Sequence, residues 1–201
     1  MPSQVYCFHY QIGSGNCYKV GLTKNPPEMR LKGLATGSPV RPTLYRTVET
    51  EDARRLEKYI HKLLDAKRAN GEFFFVTQQA LNDAVDKAEA FVKECQQVLP
   101  EAKKLRRRKP NDTMAEPSGE MPAIYRQLRE AMSKKFLLDQ RIEFLVSKVQ
   151  VAIGENRGMK GVATWQWEDR PWFDQKRFQE EHKTLYEEYA RDSGCRKFRL
   201  L

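Results

Sequence analysis

Gln4-Val5-Tyr6-Cys7-Phe8-His9-Tyr10 and Cys17-Tyr18-Lys19-Val20-Gly21-Leu22 are two short runs dense in β-branched and aromatic residues, separated by Gln11-Ile12-Gly13-Ser14-Gly15-Asn16. Such side chains pack well on a pleated surface, and a spacer with two glycines permits a tight reversal. The stretch therefore reads as a β-hairpin. A phosphate-binding loop at Gly13 and Gly15 is the weaker reading, because no helical pattern opens directly after them.

Working outward, Asn25-Pro26-Pro27 predicts a helix start, since asparagine caps well and proline suits a first turn. Met29, Leu31 and Leu34 supply its apolar side, and Thr36-Gly37-Ser38-Pro39 ends it. Pro42 to Thr50 alternates as a strand, with Leu44 and Arg46 on one face and Tyr45 and Thr47 on the other. Asp52 to Lys67 predicts a second helix whose Leu56, Ile60, Leu63 and Leu64 meet the core. Its Glu57 and His61 are four residues apart and share another face. Gly71 to Val76 reads as a short buried strand. Thr77 then opens a helix reaching Leu99, with Leu81, Val85, Ala88 and Val92 as its inner stripe. The order β-β-α-β-α-β-α describes an α/β fold of the α+β kind: a small mixed or antiparallel sheet of three to four strands flanked by helices, over residues 1–99.

Beyond it the composition changes. Residues 100–121 are rich in Lys, Arg, Pro, Asn, Asp, Ser and Gly, and contain the strongest charge block of the chain, 101–110. They read as a flexible basic linker. Ile124, Leu128, Leu138, Ile142, Leu145 and Val149 then recur at helical intervals, predicting a long amphipathic helix of coiled-coil character that could pair two copies through 122–150. Gly154 to Gly161 breaks it. The remainder of 122–201 holds three tryptophans and a basic terminus, enough for a compact tail.

The chain has 201 residues, 40% hydrophobic and 31% charged, with a net charge of +9. That is a globular composition with a bias toward polyanions, since clustered cations displace counterions from phosphates. Cys7, Cys17, Cys95 and Cys195 form no C-x-x-C pair, so neither structural zinc nor a disulfide framework is indicated. Cys7 and Cys17 are placed to face each other across the hairpin as small core residues. Without an apolar run of signal or membrane-span length, the expectation is a cytoplasmic protein with no membrane partner.

Tyr6, Lys19-Val20-Gly21, the segment from Thr23 to Arg30, Leu56-Glu57-x-x-x-His61 and Gly71-Glu72-Phe73-Phe74 follow one another in an order that resembles the GIY-YIG nuclease superfamily. Within it, they resemble the phage and bacterial branch whose second motif reads K-I-G. The resemblance covers about Val5 to Val76 and implies hydrolysis of a DNA phosphodiester with one divalent cation, Mg²⁺ or Mn²⁺, held by Glu57. Magnesium keeps much of its water shell, so a lone carboxylate is a normal anchor. Arg30 would hold the scissile phosphate and Tyr6 would activate or orient water. Lys19 replaces the name-giving tyrosine and would stabilise phosphate charge or assist deprotonation. His61 could be the general base or a water holder, because imidazole titrates near neutrality. The base remains open among Tyr6, His61 and Lys19. Glu72 could orient a neighbour as a supporting acid. Each residue also has a plain structural reading, such as an interhelix ion pair for Arg30 and Glu57.

Ile153 to Trp165, Phe173-Asp174-x-x-x-Phe178, His182-x-x-Leu185-Tyr186 and Arg196-x-Phe198-Arg199 resemble the tail of YqaJ-type phage recombination nucleases, over roughly Arg141 to Leu201. This implies a setting in phage or prophage recombination or replication, and names no active site. Trp165, Trp167 and Trp172 could stack on bases, although a core role is the stronger expectation. Lys103, Lys104, Arg106, Arg107, Arg108 and Lys109 would grip DNA phosphates without reading sequence. A non-catalytic DNA-binding or recombination adaptor on a nuclease scaffold is the rival reading, with Lys19 as its mark.

Overall fold

The computed structural model describes residues 3–36, 40–191 and 194–200. Strands β1 (Ser3–Ile12) and β2 (Gly15–Thr23) form the expected hairpin, paired from Gln4↔Thr23 to Ile12↔Gly15. Its loop is only Gly13 and Ser14. Gly13 has φ +58° at the first central position, the geometry of a type II′ turn that a side chain would oppose. Cys7 faces Val20 and Cys17 faces Tyr10, and the two thiols belong to separate cores on opposite sheet faces, so they do not meet across the hairpin. Burial pushes the Cys7 thiol up to about 12, which leaves it unreactive.

β1 is central. Its other side pairs antiparallel with β3 (Thr43–Thr50), where Cys7 faces Arg46 but Phe8 faces Leu44. Tyr45 is the extra residue of a β-bulge. The bulge turns Tyr45 and Arg46 to the same side: the Tyr45 hydroxyl donates to Asn82 at 3.1 Å, and Arg46 Nη2 donates to Asp86 at 2.6 Å. The predicted alternation, with Arg46 beside Leu44, is broken there.

Helix α2 (Ala53–Leu63) and the start of α3 (Gln78–Arg106) cover this side of the sheet. Leu56, Ile60, Leu81 and Val85 are wholly buried against Val5, Val20 and Phe74. Burial of each contributes ~1.5–3 kcal/mol. Leu63, expected in the core, is 38% exposed because α2 ends there and a 3₁₀ turn (Asp65–Lys67) redirects the chain. The opposite face holds Tyr6, Phe8, Tyr10 and Cys17 under α1 (Pro27–Ala35), which contributes Leu31 and Leu34. Pro26, not Asn25, occupies the cap of α1. Asn25 is held one step earlier, its N–H donating to Thr23 Oγ1 at 3.1 Å. The predicted end of α1 at Gly37-Ser38-Pro39 lies outside the described residues.

Two short strands, β4 (Arg68–Asn70) and β5 (Phe73–Phe75), complete a five-stranded antiparallel sheet of order β3-β1-β2-β5-β4. Arg68 fixes this corner: its guanidinium lies 4.7 Å from the Phe74 ring centroid, donates to the His61 carbonyl at 3.3 Å and bonds the Gly71 carbonyl. Gly71, at φ +53°, makes the turn between β4 and β5. The fold class matches expectation, with β4 as a strand beyond the three to four foreseen.

Thr77 caps α3, accepting from the Ala80 N–H at 3.2 Å, and the helix buries Leu81, Val85, Ala88 and Val92 as predicted. It then continues through Pro100 to Arg106 instead of stopping near Leu99. The first third of the expected linker, 100–106, is therefore helical, on a largely exposed stretch. By its contacts the chain divides into one unit, Met1–Lys109 with Cys195–Leu201, and a second, Pro110–Gly194.

The second unit contains α4 (Met121–Ile153), a β-hairpin of β6 (Gly158–Met159) and β7 (Ala163–Thr164), α5 (Gln175–Glu181) and α6 (Lys183–Tyr189). Ile153 is its one buried hydrophobic residue among those described. Trp165, Trp167 and Trp172 are 48%, 88% and 80% exposed, so they do not build the compact core expected of the tail. Among the described residues no helix is long and apolar enough to cross a membrane.

Candidate functional site at the open edge of β2

β5 pairs with β2 only from Cys17 to Lys19. One further bond, Val20 N–H to the Glu72 carbonyl at 3.1 Å, ends the ladder before the chain turns away at Gly71. Residues two apart on a strand direct their backbone groups to the same side, so the Val20 carbonyl and the Leu22 amide face a gap. Helix α2 fills it. His61 Nε2 lies 3.0 Å from the Val20 carbonyl oxygen, and the Leu22 amide stabilises the charged form of the Glu57 carboxyl. Four helical residues rise about 6 Å and two strand residues about 6.8 Å, so side chains at 57 and 61 match backbone groups at 22 and 20. A carbonyl only accepts, so Nε2 of His61 carries hydrogen, and in the neutral ring Nδ1 holds the lone pair.

Lys19 projects from the adjacent stretch of β2. It is 8% exposed, ion-paired with Glu72, and its ammonium lies 5.2 Å from the Phe73 ring centroid. Glu57 feels all of these neighbours. Partial burial pushes its carboxyl above the ordinary carboxylate range; His61 acts against the shift, Glu72 adds to it, and the Leu22 amide and Lys19 oppose it. Lys19, Glu57, His61 and Glu72, separated by up to 53 positions, thus form one electrostatic cluster.

Tyr6 stands opposite Gly21, between the two β2 residues that α2 engages. Its ring occupies the space a side chain at 21 would take: a Cβ there would lie 2.5 Å from the Tyr6 hydroxyl oxygen and 2.7 Å from Cζ. Glycine at 21 is therefore what lets the tyrosine lie across the strand. Thr23, nearly buried, ends β2 by donating from Oγ1 to the Asn25 carbonyl at 3.1 Å, which sets the start of α1. Arg30 lies on α1 in the same turn as Leu31, exposed and without an ion-pair partner among the described residues. It makes no ion pair with Glu57, and the structure gives it no contact with the cluster.

Among the described residues, no three His, Cys, Asp or Glu side chains converge as a metal nest. The donor on offer is one half-exposed carboxylate, Glu57, short of water and beside a second acid. A hard oxygen donor of this kind suits Mg²⁺ or Mn²⁺ whose remaining positions are filled by water and phosphate oxygens.

The basic block is placed elsewhere in this unit. Lys103, Lys104 and Arg106 lie on the last turn of α3, followed by Arg107, Arg108 and Lys109, all exposed. Sequence reasoning found the polar side chains but missed their anchors: the backbone of Val20 and Leu22, and Arg68 behind His61. The spacing of Glu57 and His61 was the one available signal for the first. Nothing local pointed to the second.

Residues 4–89 match the family model of the T5orf172 domain, a nuclease-related domain. The match covers the five-stranded sheet except Ser3, together with α1, α2 and the start of α3. No curated protein and no solved structure matches the chain.

Proposed function

We propose, with the nuclease-related domain of residues 4–89 as premise, that this domain is a divalent-cation-dependent DNA endonuclease of the GIY-YIG type. The observation that carries the reading is the cluster at the open edge of β2, where Glu57, His61, Lys19 and Glu72 meet, with Tyr6 lying across Gly21 of the same strand. Burial leaves the Glu57 carboxyl destabilised in its charged form, and a bound cation would reverse that imbalance.

Glu57 would hold Mg²⁺ or Mn²⁺, and the ion would supply charge stabilisation at the leaving oxygen. The protein's own groups do the rest. Arg30 presents a guanidinium free to take two phosphate oxygens, and Lys19, held by Glu72, adds a fixed positive charge. An ion-paired ammonium is a poor base, which leaves Tyr6 and His61 to orient the attacking water. His61 also holds the strand edge, because its Nε2–H is engaged by Val20 and only Nδ1 is left to act on water. Hydrolysis consumes that water, breaks one phosphorus–oxygen bond and leaves a phosphate and a hydroxyl end.

The test is incubation of single-stranded, duplex and branched DNA with the full chain and Mg²⁺ or Mn²⁺, beside Glu57→Ala and Arg30→Ala. Cleavage lost in both variants is the expected result. DNA binding without metal-dependent cleavage would replace the nuclease with the adaptor reading, in which Lys19 marks lost chemistry, in a phage or prophage recombination setting.

A second copy of the chain is the proposed partner of α4. Ile124, Leu128, Ala131, Leu138, Ile142, Leu145 and Val149 follow alternating spacings of four and three, interrupted only by Lys135, and Leu138 and Ile142 are 58% and 48% exposed. In that heptad register Lys134 falls at g and Asp139 at e, an attractive pair between parallel helices, while Lys135 is a single polar a residue of the kind that fixes register. Solution mass of the full chain should be twice the chain mass and fall to the monomer in Ile142→Asp. A monomeric wild type would remove the pairing.

A further inference from the structure

The two most basic segments of the chain lie nearly ninety positions apart, at 101–109 and 196–199. The fold joins them: the Arg196 N–H donates to the Arg106 carbonyl at 3.0 Å, and the strip Cys195–Leu201 belongs to the same unit as the sheet and α3. Every cation of both segments is exposed, and the only carboxylate among them, Glu101, is 3.4 Å from Lys104.

A helix C-terminus attracts cations, but its dipole amounts to about half a negative charge. One or two cations satisfy it. The six of the block and the three of the strip leave a large surplus on two segments joined by a backbone bond. Like charges crowded in this way repel unless an external polyanion neutralises them, and DNA presents one phosphate charge per about 1.7 Å of duplex axis.

We infer that Arg196, Lys197 and Arg199 join the block at the end of α3 in one composite surface for the DNA phosphate backbone. The inference rests on the reading of the domain as one that acts on DNA, but not on cleavage. The strip is not an independent tail; its backbone is pinned at Arg196, which keeps its cations next to the block before the ligand arrives.

Binding of the full chain to a fluorescent 25-base-pair duplex, in EDTA to prevent cleavage, tests this across a range of KCl. Neutralising Arg196, Lys197 and Arg199 to Gln alters exposed side chains only and leaves the pinning N–H in place. With about 0.9 of log–log slope per phosphate contact, the triple variant should lower the salt slope by about 2 to 3 and weaken binding about a hundredfold at 0.1 M salt. The loss should be equal on unrelated sequences. A control triple, Lys160, Lys176 and Lys183 to Gln, makes the same change in net charge within the other unit and should leave the slope unchanged. Equal effects of the two triples, or none from the strip, would overturn the inference. Absence of DNA binding by the wild type would overturn it too. Parallel reactions with Mg²⁺ separate the two readings: a cleaving wild type whose strip variant keeps its slope leaves the nuclease standing alone, whereas a non-cleaving wild type whose strip variant loses slope leaves the surface standing alone.

Discussion

Gly21→Ala should damage this protein more than its single methyl group suggests. The new Cβ would lie 2.5 Å from the Tyr6 hydroxyl oxygen, 2.7 Å from Cζ and 3.2 Å from Cε2. Ordinary carbon contacts begin near 3.5 Å, so the ring must move by about 1 Å. It has nowhere to go: Tyr6 is 2% exposed and its ring stacks on Phe8 with centroids 4.2 Å apart. Overpacking of this kind costs about 1–3 kcal/mol. Against it stands the lower unfolded-state entropy of alanine, worth about 0.4–1 kcal/mol, which applies because the φ of Gly21 is not positive. The net expectation is a loss of about 1–2 kcal/mol, or roughly 5–15 °C in melting temperature for a unit of this size. Tyrosine near-ultraviolet circular dichroism should follow the transition, since all three tryptophans lie in the other unit. In a Tyr6→Ala background the same substitution should be neutral or stabilising, giving a coupling energy of about 1–3 kcal/mol. Under the nuclease reading, a displacement of about 1 Å at Tyr6 also lowers cleavage by about a hundredfold. A Gly21→Ala protein as stable as wild type, or a cycle with no coupling, would refute the packing argument.

His61→Gln keeps an N–H near the position of Nε2, whereas His61→Ala leaves the Val20 carbonyl without its donor. The alanine variant should lose about 1–2 kcal/mol in urea unfolding and the glutamine variant clearly less. If His61 positions the strand, His61→Gln also keeps most cleavage; equal inactivity of both variants would make it the base after all. For Glu57, a raised folded value means the native state binds more protons than the unfolded chain in the window above the usual carboxylate value. Stability therefore falls as pH rises through that window, and ionised Glu57 costs stability at neutrality. Glu57→Gln should match wild type below about pH 4 and exceed it at pH 7, and under the nuclease reading it abolishes cleavage. A stability gap independent of pH, read from urea midpoints, would contradict this. Glu72→Ala leaves the Lys19 ammonium in its nearly buried position with only the Phe73 ring for close company, and should cost about 1–2 kcal/mol by the same measurement; an unchanged midpoint would show that the ion pair contributes nothing.

The hairpin, the helical stripes and the shared face of Glu57 and His61 were legible because each is a local period read against a known geometry. The bulge at Tyr45 was not. It adds one residue to β3, and it goes with the bonds that Tyr45 and Arg46 make to α3, some forty positions away. Asn25 misled because its caps compete with local turns: Thr23 captures its N–H first. Pro100 misled because proline disfavours helix interiors without forbidding them. The tryptophans of the tail suggest a core, while the second unit buries almost nothing around them among its described residues. In the site, residue types and order were readable, but the partners of His61 and Lys19 depend on where β5 ends, which no pattern within β2 records.

The way α2 completes the sheet has a consequence for how this protein decays. An uncovered strand edge recruits strands from other chains. Glu57 and His61 stand where that recruitment would begin, beyond the last bond to β5. A chain that lost both would expose fresh pairing groups at Val20 and Leu22 and tend to aggregate, whatever became of its chemistry. Protection of the strand edge is thus sufficient reason for the two residues whether or not the domain cuts DNA, and their presence is weaker testimony to activity than that of Arg30, which has no ion-pair partner among the described residues.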